Sequence, residues 1–331
     1  MAPAFFRRDC SARKTLGQTV HLPCQPRHDT SAHAVGSRPV PGALLELAME
    51  TRPFGCTKRP VAVVGQGTWY NERDDRASAV SALRRGLDLG MTHIDTAEMY
   101  LSGRAEEWVG EAVLPRRDDV FLVSKVLPQN ASRRGTVSAC EASLARLQTD
   151  RLDCYLLHWR TDRHPLDDTV EAFEQLKKEG KILAWGVSNF DVPDLQELRR
   201  AAGHNSGPVC DQVLYHLQER AAEHAVIPWC ERHDAAVAAY SPFGHGSFPD
   251  PRTPGGRLLK QIAEENNATV RQVALRFLLR WPFAFAIPKS SDVDHVAENA
   301  GAGDLQLTDM QIARLDKAFP LGPVPAELPM L

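Results

Sequence analysis

From Val61 onward the chain alternates between two textures. Short runs in which nearly every residue is apolar give way to longer stretches whose apolar residues recur every three or four positions. The short runs predict strands buried on both faces, as a parallel sheet under helices requires, with Val120-Phe121-Leu122-Val123 the clearest case. Strands are expected at Val61 to Val64, Met91 to Asp95, Val120 to Lys125, Leu152 to His158, Ile182 to Val187, Pro208 to Gln212, Ala236 to Tyr240 and Phe283 to Ile287. Helices are expected at Arg76 to Leu89, Arg104 to Leu114, and over residues 133–147, 166–179, 192–202, 220–233, 257–280 and 292–300.

Eight strand-helix units in succession predict one closed α/β barrel, the (β/α)8 or TIM barrel. An open doubly wound sheet is the alternative, and it normally carries Gly-x-Gly-x-x-Gly after its first strand. Gly65-Gln66-Gly67-Thr68-Trp69-Tyr70 has a bulky tyrosine in place of the third glycine, so the two glycines are better explained by a tight turn at a strand end.

Residues 1–55 have a different character. Up to position 45, Arg7, Arg8, Arg13, Lys14, Arg27 and Arg38 stand against only Asp9 and Asp29, and prolines 3, 23, 26, 39, 41 and 53 interrupt the stretch, which is poor material for a packed core. We expect a mostly disordered extension with a short helix around Ala43 to Glu50; its Arg-rich start also has the composition of an organelle transit peptide. The barrel is expected to occupy residues 56–331.

A net charge of −3 without a basic stripe argues against nucleic acid or an anionic membrane surface as a partner. No apolar run approaches the roughly 18 residues a membrane span needs. The seven cysteines never form Cys-x-x-Cys, which argues against a disulfide framework or thiolate zinc site and favours a reducing cytoplasm. No His-Glu-x-x-His occurs, so no metal site is expected.

Three successive strands are expected to stop on Asp95, Lys125 and His158, and in a barrel such ends converge on one rim. Singly, Asp95 could cap the next helix, Lys125 could be the first solvated residue and His158 could be a core histidine. Together, and with Tyr100 following Asp95, they make a chemical set. A phenol is protonated at neutral pH; an adjacent ammonium stabilises its anion, a carboxylate keeps that ammonium charged and oriented, and an imidazole adds a directional hydrogen bond. Such a set protonates a developing alkoxide, which suits carbonyl reduction. The loop after the eighth strand also opens a helix, whose free N–H groups and the charge of Lys289 favour an anion, unless Lys289-Ser290-Ser291 serves only as a cap.

Gly67-Thr68-Trp69, Ile94-Asp95-Thr96-Ala97-Glu98-Met99-Tyr100, Ser124-Lys125, Leu156-Leu157-His158-Trp159, Gly186-Val187-Ser188-Asn189-Phe190, Tyr240-Ser241-Pro242 and Ile287-Pro288-Lys289-Ser290 follow one another in the order and spacing of the aldo-keto reductase superfamily. The resemblance covers roughly residues 55–320. Val64 to Tyr70 and Val213-Leu214-Tyr215-His216-Leu217 are most similar to a bacterial branch that reduces methylglyoxal and related small aldehydes.

The resemblance implies a barrel with an N-terminal β-hairpin and a catalytic tetrad of Asp95, Tyr100, Lys125 and His158, with Tyr100 as proton donor. It implies that the nicotinamide stacks on Tyr240 and that Ser188, Asn189 and Gln212 hold its carboxamide, with Thr68, Ser241 and Pro242 also at the cofactor. Lys289 and Ser290 are implied at the adenosine phosphate, Glu298 and Asn299 at the adenine, and Trp69 and Trp159 in the substrate pocket. His295 stands where many members carry an arginine that grips the 2′-phosphate; NADPH is the expected cofactor and NADH a possible second. A short segment after His158 and a short tail after Phe319 imply an open pocket and broad acceptance of small-molecule carbonyl substrates; a monomer is expected.

Three other functions fit parts of this pattern. His93-x-Asp95 with His158 could form a metal-dependent hydrolase site, although Lys125 would repel the cation. Lys125 could form a Schiff base, although pairing with Asp95 would keep it a poor nucleophile. A nucleotide-binding regulatory subunit without turnover would have no use for Tyr100.

Overall fold

The structure, a computed structural model, describes residues 49–70, 72–203 and 206–331. The extension expected over residues 1–55 lies outside the described residues up to position 48. Met49 and Glu50 are not helical, and strand structure begins before the expected boundary, with β1 at Thr51–Pro53.

β1 pairs antiparallel with β2 (Pro60–Ala62), Arg52 opposite Val61. Beyond this hairpin the chain runs β3 (Gln66–Gly67), α1 (Arg76–Asp88), β4 (His93–Asp95), α2 (Arg104–Val113), β5 (Phe121–Val126), α3 (Arg133–Leu147), β6 (Cys154–Leu157) and α4 (Leu166–Lys178). It continues with β7 (Trp185–Ser188), α5 (Val192–Ala202), β8 (Cys210–Leu214), α6 (Val226–Arg232), β9 (Ala236–Tyr240), α7 (Pro254–Glu265), α8 (Val270–Leu278), β10 (Ala284–Ala286), α9 (Val293–Ala300) and α10 (Asp309–Ala318).

Strands β3 to β10 lie side by side in sequence order, each parallel to the next. The last returns to the first: Val64 bridges Ala286 and Gly67 bridges Lys289, with Gly65 N–H donating to Ala286 O at 2.8 Å and Gly67 N–H to Pro288 O at 3.0 Å. The sheet is therefore a closed (β/α)8 barrel, which overturns the open-sheet alternative. The seam also explains the glycines. A Cβ on Gly67 would fall 2.6 Å from the Ile287 carbonyl oxygen, so close approach of two backbones, rather than a tight turn, is what requires glycine there.

The strand expected at Val61 to Val64 is split, because Val61 and Ala62 pair within the hairpin while the barrel strand runs on to Gly67. The single helix expected over 257–280 is two. Asn267 takes a left-handed backbone (φ 50°), and Thr269 and Gln272 form a reciprocal capping box that starts α8. The helix expected over 220–233 is reduced to α6 after a short 3-10 turn at Ala221–Glu223. α10, started by a second capping box from Thr308 and Gln311, was not expected.

Alternation along the strands sorts the barrel interior into levels. Near the hairpin, Phe54 plugs the barrel, its ring 4.6 Å from Phe121, 4.9 Å from Phe285 and 5.8 Å from His93, above Cys154, Cys210 and Ala236 in one buried cluster. Two or four residues further along the same strands, the inward positions become Asp95, Lys125, His158, Gln212 and Tyr240. An apolar floor thus carries a polar rim at the C-terminal end of the barrel, where function in this fold is sited.

Candidate active site

Lys125 is inside β5, followed by Val126, rather than at a strand end, and its side chain has no solvent exposure. Its ammonium spends its three N–H groups on three oxygens: Asp95 Oδ1 at 2.6 Å, Thr96 O at 2.8 Å and the Tyr100 hydroxyl at 3.1 Å. The other carboxylate oxygen of Asp95 accepts from Gln212 Nε2 at 2.7 Å, and Thr68 Oγ1 donates to the Asp95 carbonyl at 2.9 Å. Both members of the buried pair are hydrogen-bonded throughout, the condition under which such a pair survives desolvation.

Burial pulls the Lys125 ammonium down, but Asp95 and Tyr100 more than reverse this, leaving it above the ordinary lysine range. It is a cation at any working pH, which removes it as a Schiff-base nucleophile. Burial raises Tyr100, with Lys125 opposing, and the phenol stays protonated. Because the Tyr100 oxygen accepts from Lys125, its own hydrogen is directed elsewhere.

The backbone that delivers Tyr100 is tightly turned: Leu101 and Ser102 have φ of 49° and 54°, followed by Gly103 at 90°. Asn189, Ser241 and His245 are also left-handed. Each lies on the strand-to-helix loops at the C-terminal rim, and non-glycine residues in this conformation cost of order 1–3 kcal/mol each.

The His158 ring meets Tyr100 edge-on, centroids 5.7 Å apart. Burial and then the charge of Lys125 push it down to about 2, so it is a neutral imidazole, with Nδ1 buried and unpartnered. Beside it, Ser188 Oγ donates to Gln212 O at 2.8 Å, Asn189 Nδ2 donates to His158 O at 3.1 Å, and the Tyr240 hydroxyl donates to Asn189 Oδ1 at 2.8 Å. Asn189 thereby fastens three strand ends together.

His93 takes no part. It lies in the apolar floor between the rings of Phe54, Phe121 and Phe285, lowered to about 3 by burial first and Lys125 second. His93, held among three phenylalanine rings, and Asp95, tied to Lys125, do not form the ligand set a hydrolase would need, and among the described residues no three His, Cys, Asp or Glu side chains gather in a way that could hold a metal.

A cleft of about 260 Å³ runs over these groups, lined by Gly67, Thr68, Trp69, Asp95, Tyr100, Tyr240, Ser241, Pro242, Phe243, His245, Ile287 and Lys289. A recess of about 40 Å³ adjoins it between Trp69, Met99, His158, Trp159 and Leu331. Trp69 is 41% exposed, and its ring stacks on His245 at 5.1 Å, so a core-packing role for it is excluded. Ser290 is engaged with the backbone of Asp292 and does not line the cleft; His295, exposed, and Glu298 and buried Asn299 follow on α9, also outside its walls.

Three residues escaped the sequence reading. His245 carries one local sign, its position between Gly244 and Gly246, both at positive φ. Leu331 N–H donates to the Tyr240 hydroxyl at 3.2 Å, and Asp74 pairs with Lys289; neither contact leaves a trace in local pattern.

A barrel whose rim gathers Asp, Tyr, Lys and His around one phenol defines the class, and sequence comparison agrees. The aldo/keto reductase family pattern matches residues 63–319, and the chain belongs to that family. It is an NAD(P)H-dependent oxidoreductase. The chain is 45% identical over 259 residues to the methylglyoxal reductase YeaE of Escherichia coli (strain K12), covering 78% of this chain and 90% of that protein. It is 35% identical to the glyoxal reductase of Bacillus subtilis (strain 168), covering 80% and 92%. A crystal structure of an aldo/keto reductase from Klebsiella pneumoniae in complex with NADP and acetate superposes with a TM-score of 0.78 at 42% identity, over 86% of this chain and all of that one.

Proposed function

We propose that the protein uses NADPH to reduce small aldehydes, α-dicarbonyls and ketones to alcohols, with Tyr100 as the proton donor. The observation that carries this is the 3.1 Å hydrogen bond from Lys125 to the Tyr100 oxygen, made by an ammonium already tied to Asp95. The contact stabilises the phenolate in advance and turns the phenol's own hydrogen toward a neighbour, while burial keeps the phenol protonated.

The residues present fit a nicotinamide nucleotide. Ser188, Asn189, Gln212 and Tyr240 line the recess beside Tyr100, and Tyr240 and Lys289 both line the adjoining cleft. Tyr240, Ser188, Asn189 and Gln212 would hold the nicotinamide end, Thr68, Ser241 and Pro242 would line its path, and Lys289 with the start of α9 would meet the adenosine-side phosphate. When bound, NADPH supplies hydride to the carbonyl carbon. Tyr100 gives its proton to the carbonyl oxygen, Lys125 stabilises the phenolate left behind, and Asp95 keeps Lys125 charged and aimed. His158, neutral, orients the carbonyl without adding charge. Trp69, Trp159 and Met99 form an apolar wall for a small substrate.

The reductases of methylglyoxal and glyoxal among the relatives support small α-dicarbonyls as substrates. Oxidation of NADPH, followed by absorbance with methylglyoxal, a nitrobenzaldehyde and a sugar aldehyde, tests the proposal. Saturable turnover of methylglyoxal and at least one other is expected; activity confined to one bulky carbonyl contradicts it.

A further inference from the structure

Lys289 and Ser291 already hold an anion, and it belongs to the protein. Lys289 Nζ lies 2.5 Å from Asp74 Oδ1, and Ser291 Oγ donates to the same oxygen at 2.8 Å. Asp74 comes from the loop before α1, 215 positions from Lys289 in sequence, and its side chain is 7% exposed. Lys289 also lies over the Tyr70 ring, 5.1 Å from its centroid, so the cation is confined from below. An ammonium and a hydroxyl converging on one oxygen are donors that suit a phosphate, while the first N–H groups of α9 are already taken by the Asp292 carboxylate.

We propose that Asp74 is a cofactor-specificity residue that competes with the 2′-phosphate of NADPH for Lys289 and Ser291 and accepts the ribose 2′-hydroxyl of NADH. The inference rests on the nicotinamide reading above. A phosphate entering this position meets a carboxylate of like charge and has to displace it from a close ion pair. A ribose hydroxyl donates a hydrogen bond to that carboxylate and leaves the pair intact, as an acidic residue at the ribose does in dinucleotide-binding folds. On the exposed first turn of α9, His295 offers an imidazole in place of a guanidinium fork, and Asp294 beside it is acidic. Asp74 therefore narrows the preference for NADPH and permits NADH.

The test uses Asp74→Asn, which keeps the shape and removes the charge, with Asp74→Ser as a smaller second variant. Calorimetric titration with adenosine 2′,5′-bisphosphate and adenosine 5′-monophosphate reads the site without turnover. Both variants are expected to bind the bisphosphate about tenfold more tightly relative to the monophosphate than the parent does, and the kcat/KM ratio of NADPH to NADH should rise by a similar factor. An unchanged ratio of the two Kd values overturns the proposal, as does equal weakening of both ligands with a lowered Tm, which marks the contact as a structural tie. If the parent binds neither NADPH nor NADH by quenching of tryptophan fluorescence, the cofactor reading itself fails; binding with an unmoved ratio defeats only the role of Asp74.

Discussion

The Lys125 ammonium donates its third hydrogen bond to the Tyr100 hydroxyl at 3.1 Å, from a strand position without solvent access. The charge that stabilises the phenolate is thus itself dependent on Asp95, 2.6 Å away. Lys125→Met leaves a buried carboxylate with Gln212 as its remaining side-chain donor, and should cost about 3–5 kcal/mol in urea unfolding. The double variant Asp95→Asn/Lys125→Met should regain most of that stability while its kcat stays about 100-fold or more below the parent. Recovery of turnover with stability would show that the pair serves folding alone.

His93 and His158 set a pH dependence of stability. Both are neutral when folded, lowered to about 3 and about 2, while the unfolded chain protonates them near 6.5. The unfolded state therefore binds more protons below 6.5, and stability falls as pH drops through the window from about 6.5 towards 3. Each histidine contributes a slope of about 1.4 kcal/mol per pH unit. Asp211, pushed well above the ordinary carboxylate range by burial, acts in the opposite sense, so the comparison must be between single variants. His158→Gln should flatten the stability profile between pH 6 and 4 by about one proton. An unchanged slope would mean that the ring is charged in the folded protein.

Gly67 joins the two ends of the barrel. In Gly67→Ala the new methyl meets the Ile287 carbonyl, a backbone group that cannot swing aside, and destabilisation of about 1–3 kcal/mol is expected. Because Gly67 bridges Lys289 and is followed by Thr68, both proposed at the cofactor, the KM for NADPH should rise more than that for the carbonyl substrate. Equal changes in both would place the effect on the whole barrel rather than on the cleft.

The barrel was legible because its strands are apolar on both faces and short, and β5 to β10 fall within a few residues of the expected spans. The tetrad was legible for a related reason: strict alternation carries each inward-facing row from apolar to polar at the same level of adjacent strands. Where pattern failed, the cause was local or distant. Apolar residues recur at helical spacing on both sides of Glu264-Glu265-Asn266-Asn267, and the break lies in that polar run and in the capping chemistry of Thr269 and Gln272. The seam at Gly65 and Gly67 is a contact between residues more than two hundred positions apart. Asp74, in a run of charged loop residues, reads as ordinary solvated surface until Lys289 is placed beside it.

The most direct test of the proposed mechanism is Tyr100→Phe, measured for NADPH affinity by fluorescence and for methylglyoxal turnover by absorbance. Loss of the hydroxyl alone should lower kcat by about 10²–10⁴-fold while the Kd for NADPH changes by less than about threefold. Near-normal turnover in this variant would contradict the assignment of Tyr100 as the proton donor and, with it, the chemistry derived from its contact with Lys125.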